Sequence, residues 1–272
     1  MMSVPRPASD EFSFTVSIEH RPCTKRNILS IIARQFDVLG LIAPTILYAK
    51  LILQKLFVLK LDWDEKPPQN VIRVWENYLR ELPMLRDVRI KRHLDVFEGS
   101  ALSIVAFSDA SEKAYGASVY VVVKRDLDSA PIVNLVCAKS KVAPLKTISV
   151  ARLELCAVSL MSRLVRRVIA TYKPRHEIET ILCFTDSMVA LHWVHSDPQT
   201  LKTFVATRVT KILNNLPAEH FYHVPGTSNP SDCLSRGLSP SQLVTHPLWF
   251  TGPPWLRQDV ATWPITSVVH NF

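Results

Sequence analysis

Cysteine is scarce in this sequence and poorly placed for cross-linking. The five residues, Cys23, Cys137, Cys156, Cys183 and Cys233, are odd in number and scattered, and no Cys-x-x-Cys pair occurs. They read as reduced core thiols rather than a disulfide framework. A structural zinc site is not expected, because His192 and His195 lack a second ligand pair nearby. A long hydrophobic run is also missing. The richest stretch, residues 41–59, is interrupted by Pro44, Lys50 and Lys55. A charge at mid-bilayer costs about 2.5–3.5 kcal/mol, so this stretch is expected to be an amphipathic helix rather than a membrane span. The start, Met1 to Pro5, has no charged segment leading into an apolar one, which points to an intracellular chain without a secretory signal. No internal repeat of solenoid period is evident.

What is present is a composition that folds, with a basic bias. An apolar fraction of 47% and a charged fraction of 21% exclude disorder along most of the 272 residues. That length accommodates a medium domain with a smaller companion. Lys and Arg number 32 against 24 Asp and Glu, giving +8 and a pI near 9.3. A polyanionic partner suits this balance, although charge alone does not separate nucleic acid from a membrane surface or an acidic protein.

Periodicity divides the chain into four parts. Residues 1–22 are Pro-rich and polar and read as an extended leader that pairs outside this chain or stays loose. Residues 23–95 read as a small helical domain. Thr24 is a candidate N-cap, Ile28, Ile31, Ile32 and Phe36 recur at helical spacing, and Gly40 is a stop. Pro44 starts a second helix whose apolar face is Ile46, Ala49, Leu53, Leu56 and Val58, and Val71 to Leu82 forms a third. From about Glu98-Gly99-Ser100 the period becomes that of strands, at 102–107, 115–123 and 132–138, with Asp126 and Asp128 in a hairpin turn. A long helix from about Ser149 follows, then a strand at 181–185, helices near 188–194 and 204–213, a strand at 221–224 and a short helix after Pro230. Residues 96–240 are thus expected to be α/β, with a mixed sheet flanked by helices. Residues 241–272 form a tail rich in Pro and Trp that should pack back onto the fold.

Four acids stand where an apolar pattern does not predict them. Asp109 and Asp186 end apolar strands, where ligands bind in open α/β sheets. If those strands are parallel neighbours, their tips face one another across about 5 Å. Glu154 lies at the edge of a helical apolar stripe, and Asp232 opens the last helix. Clustered carboxylates repel unless cations neutralise them, which points to Mg²⁺ or Mn²⁺, with two ions expected to act as a clamp on an in-line displacement at phosphorus. Taken singly, Asp109, Asp186 and Asp232 read more readily as helix or turn caps than as ligands.

Together, the motifs Phe107-Ser108-Asp109-Ala110-Ser111, Ala151-Arg152-Leu153-Glu154-Leu155, Phe184-Thr185-Asp186-Ser187 and Asn229-Pro230-Ser231-Asp232-Cys233-Leu234-Ser235-Arg236 resemble the ribonuclease H domains of retroelement polyproteins. The likeness is greatest to BEL/Pao-type retrotransposons, through Phe36 to Pro44, Lys202 to Val209 and the Pro/Trp tail. The resemblance implies a ribonuclease H-like five-stranded sheet preceded by a helical thumb or connection. It also implies Asp109, Glu154, Asp186 and Asp232 as metal-binding catalytic carboxylates, an RNA–DNA hybrid as substrate, and the reverse-transcriptase palm and fingers of the same polyprotein as partners. Arg152, Ser187 and Arg208 are candidate substrate contacts, with Arg163, Arg166 and Arg167 as further cations for the DNA backbone. Many relatives carry a His in the loop before the last Asp. Here that loop, Pro225 to Asn229, has none, and His223 lies earlier on the strand.

No Tyr-x-Asp-Asp occurs, so DNA synthesis is not expected. An aspartic peptidase needs Asp-Ser-Gly or Asp-Thr-Gly, whereas Asp128-Ser129-Ala130 and Asp186-Ser187-Met188 lack the glycine. The order Asp, Glu, Asp, Asp argues against integrases and transposases, and the lack of an Asp-x-Glu at Asp109-Ala110-Ser111 argues against proofreading exonucleases. The remaining rival is a retroelement fragment that binds nucleic acid or a polymerase without cutting.

Overall fold

A computed structural model of the chain describes residues 2–6, 10–16, 21–97, 100–124 and 129–265. The Glu98-Gly99 break and the turn holding Asp126 and Asp128 lie outside these residues. The chain divides into two units, Met1–His93 with Arg236–His246, and Leu94–Ser235 with Pro247–Phe272.

In the first unit, strands β1 (Met2–Arg6) and β2 (Glu11–Thr15) pair antiparallel, and β2 pairs with β3 (Ile90–Lys91). The leader therefore finds its partner within this chain, at residues 90–91, rather than outside it. Helix α1 (Lys25–Ala33) starts at Thr24, whose Oγ1 accepts from Asn27 N at 3.3 Å. It ends earlier than the periodicity predicts. The Asp37 carboxylate instead takes the Leu41 and Ile42 N–H groups at 2.9 Å, and Phe36 is left exposed. Helix α2 (Ala43–Val58) has Pro44 in its first turn and buries Leu47, Ala49, Ile52, Leu53 and Leu56. The buried face is rotated from the predicted one, with Val58 exposed at the C-terminal end. Helix α3 (Gln69–Glu81) buries Val71, Ile72, Trp75 and Tyr78. No helix among the described residues is long and apolar enough to cross a membrane.

The second unit contains strands β4 (Ala101–Ala110), β5 (Ala114–Lys124) and β6 (Ile132–Val142), helix α4 (Val150–Tyr172) and strand β7 (Ile178–Thr185). Helices α5 (Met188–His195) and α6 (Thr203–Leu213), strand β8 (Phe221–His223) and helix α7 (Asp232–Arg236) follow. Helix α8 (Pro240–Val244) returns to the first unit. The five strands lie in the order β6-β5-β4-β7-β8, with β4, β5 and β6 antiparallel and with β4–β7 and β7–β8 parallel. The strand pattern predicts a mixed sheet, and the family resemblance implies its five-stranded ribonuclease H-like form; the sheet has both properties.

The two-residue period of β4 sends alternate side chains to opposite faces. Leu102, Ile104 and Ala106 join a core with Leu155, Val158, Met161 and Val165 of α4. Phe107 turns the other way, 5.5 Å from the Phe184 ring and 6.0 Å from Trp255. The Pro/Trp tail packs on that second face: Trp249 is fully buried, and Tyr120 Oη donates to the Trp249 carbonyl at 2.6 Å. Proline blocks long helices there, so the tail covers the sheet with short 3-10 turns at Pro254–Arg257 and Val260–Thr262.

Candidate metal centre

The site begins with the strand register. Parallel pairing of β4 with β7 aligns Ser108 with Thr185, so the next residues, Asp109 and Asp186, emerge side by side at the strand tips. Their carboxyl oxygens lie within 4.8 Å of one another. Helix α4 supplies Glu154 from its second turn, where Oε1 accepts the Ala110 N–H at 3.2 Å. One oxygen from each of Asp109, Glu154 and Asp186 lies within 4.8 Å of the others. Asp109 and Glu154 are buried, at 5% and 6% exposure.

Electrostatics follow from that crowding. Burial, then the charges of Asp109 and Asp186, push the Glu154 carboxyl up to about 9, against the Ala110 hydrogen bond. Asp186 is also raised, chiefly by burial and further by Asp232, while its hydrogen bonds and the positive side of His223 pull it down. Glu154 Oε2 is sealed from solvent and has no hydrogen-bond partner among the described residues. A buried carboxylate oxygen without a donor is costly unless a cation takes its lone pairs. Three clustered oxygen donors with one orphaned lone-pair set fit a hard divalent ion such as Mg²⁺ or Mn²⁺.

Asp232 stands at the edge of this cluster. It opens α7 and is outside the set of three, yet near enough for its charge to raise Asp186. Its approach is fixed by groups that sequence reasoning quoted without assigning a role. Asn229 Nδ2 donates to the Ser108 carbonyl at 3.0 Å, and Asn229 Oδ1 accepts the Ser231 N–H at 3.0 Å. Ser231 Oγ donates to the Phe107 carbonyl at 2.9 Å and meets Ser118 Oγ at 2.8 Å. The Asn-Pro-Ser-Asp segment is thereby tied to the end of β4.

Two glycines make room. Gly116 pairs with Asp109 across β4–β5, and a Cβ there would stand 2.3 Å from Leu234 Cβ of α7. A Cβ on Gly226 would stand 3.1 Å from Asp186 Oδ2. A glycine inside an apolar strand pattern is the sequence signal for such a close approach, and Gly116 offered it.

The expected substrate contacts separate. Ser187 is next to Asp186, and its hydroxyl caps α5 by accepting the Ala190 N–H at 3.2 Å. Arg152 and Arg208 both stack on Phe204, at 4.9 and 3.5 Å from the ring centroid. His223 is half-buried on β8, where its charge reaches Asp186.

No curated protein matches the chain. Among solved structures, the N-terminal ribonuclease H domain of Rv2228c from Mycobacterium tuberculosis, fused to maltose-binding protein, is similar at 12% identity. It covers 50% of this chain and 91% of that one, with a TM-score of 0.33. Ribonuclease H1 of Halobacterium salinarum is similar at 12% identity over 53% and 97%, with a TM-score of 0.31. The foamy viral protease-reverse transcriptase dRH in complex with double-stranded DNA is similar at 16% identity over 76% of this chain and 35% of that one, with a TM-score of 0.29. The model of the Pao retrotransposon-like RNaseH-like domain matches residues 24–187, more than half of the sequence and inclusive of Asp109, Glu154 and Asp186. The chain belongs to the Pao retrotransposon ribonuclease H-like domain family.

Proposed function

We propose that this ribonuclease H-type hydrolase domain cuts the RNA strand of RNA–DNA hybrids with divalent metal ions held by Asp109, Glu154, Asp186 and Asp232. The observation that carries the reading is the convergence of three carboxylates at the tips of parallel strands, with Glu154 Oε2 buried and unpartnered. Asp109, Glu154 and Asp186 would hold one ion, and Asp232 would serve a second at the cluster's edge. Mg²⁺ or Mn²⁺, when bound, supplies Lewis-acid stabilisation of the charge that develops during in-line displacement at phosphorus.

The chain's own residues do the positioning. The Ala110 N–H fixes one oxygen of Glu154 and leaves the other for an ion. The burial that raises Glu154 also excludes water, which strengthens each charge interaction within the site. His223 is placed to stabilise negative charge on Asp186. Arg152, at the N-terminal end of α4, would contact a backbone phosphate. Preference for a hybrid would come from 2′-hydroxyl contacts in the minor groove together with phosphate contacts on the DNA strand. In this reading residues 23–95 are a connection or thumb, and the setting is an intracellular retroelement polyprotein beside a reverse-transcriptase palm.

The test uses hybrids labelled on one strand at a time, with double-stranded DNA beside them. The RNA strand of the hybrid should be cut in Mg²⁺ or Mn²⁺, and chelator should stop it. Cleavage that persists in chelator, or that falls on the DNA strand, contradicts the proposal. Binding without cutting in any divalent ion favours a non-catalytic module.

A further inference from the structure

A second charged feature lies away from the carboxylates. Helices α4 and α6 enclose a cleft of about 420 Å³ bordered by Tyr115, Arg163, Arg208 and Lys211, with Ser159 and Asn214 between the cations. It adjoins a further hollow of about 450 Å³ that brings Lys139, Arg166 and Arg167, the two sharing Arg163 and Asn215. No acidic residue borders either. Among the described residues, no carboxylate forms an ion pair with these cations.

The cations are held in place rather than loose. The Arg208 guanidinium lies 3.5 Å over Phe204, with Nε donating to Cys156 Sγ at 3.2 Å and Nη1 to the Phe204 carbonyl at 3.0 Å. Arg166 Nη1 donates to Asn215 Oδ1 at 3.1 Å, and Asn215 Nδ2 to Ser162 Oγ at 3.1 Å. Arg163 Nε donates to the Ser159 carbonyl at 3.3 Å. Guanidinium groups fixed in this way keep outward N–H donors and lose less entropy on meeting an oxyanion.

Helix geometry separates this cleft from the metal centre. Arg163 follows Glu154 by nine residues, which is two and a half turns, so it lies about 13 Å along the axis and on the opposite side of α4. Two adjoining hollows that share Arg163 and Asn215 suit a linear polyanion better than a small ion. Hydroxyl and amide donors interleaved with cations are the set that phosphodiester backbones use.

We propose that the α4–α6 cleft is a second nucleic-acid backbone site, which grips phosphates of a strand on the side of α4 opposite to the carboxylates. The inference rests on the nucleic-acid part of the proposed function and not on cleavage. Its test is therefore run on the full chain in chelator, where cutting has no part. Fluorescence anisotropy with a labelled RNA–DNA hybrid, over a series of salt concentrations, compares wild type with Arg163→Ala/Lys211→Ala. The pair Lys173→Ala/Arg175→Ala is the control, since both residues are exposed and neither borders either hollow.

The cleft variant should bind roughly tenfold more weakly, with the slope of log K against log salt shallower by about 2, while the control keeps the wild-type slope. An unchanged slope in the cleft variant, or an equal loss in both variants, overturns the proposal. So does a poly-glutamate peptide of equal charge that binds wild type as tightly as the hybrid does.

Discussion

At the residue scale, Glu154 is the group whose state the environment changes most clearly. Its folded carboxyl holds a proton up to about 9, against an ordinary 4.5, because burial and two acidic neighbours oppose ionisation. Between those values the unfolded chain has lost the proton and the folded chain keeps it. The contribution of Glu154 to metal-free stability is therefore fully present below pH 4.5 and is lost as pH rises toward about 9. The raised Asp186 acts in the same direction. Thermal melts in chelator across this window should show a declining midpoint, and Glu154→Gln should flatten the decline while abolishing cleavage. A variant that declines as steeply as wild type would show that Glu154 does not carry the effect. That clustered acids raise one another was legible in the sequence; that one oxygen of Glu154 would be left without a donor was not, because it depends on where the Ala110 N–H points.

At the scale of elements, α7 is placed by what β5 lacks. Gly116 leaves room for Leu234, and Ser231 bonds to the end of β4. Gly116→Ala should cost about 1–3 kcal/mol in denaturant unfolding and should reduce cleavage beyond what stability explains, because α7 carries Asp232. Ser231→Ala removes a donor from the buried Phe107 carbonyl, at about 1–3 kcal/mol. If both variants matched wild type in stability and rate, the position of α7 would be irrelevant to the site.

The order of strands and helices in the second unit was legible because its apolar runs are long and keep one period. Strand pairing confirmed the condition on which the Asp109–Asp186 juxtaposition depended, namely that β4 and β7 are parallel neighbours. Elements in the first unit were less legible. Phe36 keeps the helical spacing, but the Asp37 carboxylate takes backbone N–H groups that start the next helix, and α1 stops short. The leader looked loose because its partner is only two residues long and lies more than 70 positions away, at Ile90–Lys91. Asp232 was equally hard to place from its motif, since hydrogen bonds from Asn229 and Ser231, not helix periodicity, set its distance from the cluster.

At the scale of the whole molecule, the excess of +8 coexists with a concentrated negative site. A divalent ion that binds only the folded chain must stabilise it, by about 2.7 kcal/mol at a hundredfold excess over Kd. Mg²⁺ or Mn²⁺ should therefore raise the midpoint by several degrees, most at the alkaline end of the window, where the carboxylates repel. Asp109→Asn should lose most of that rise, and a full rise in the variant would place the bound ion elsewhere.

The central claim is that these carboxylates cut RNA paired to DNA. It is tested most directly by single-turnover cleavage of a labelled RNA–DNA hybrid in Mg²⁺, with wild type beside Asp186→Asn at matched folding. Wild type should cut the RNA strand, and the variant should be slower by at least about a thousandfold, as expected when a metal clamp is broken. Equal rates in the two proteins would contradict the account.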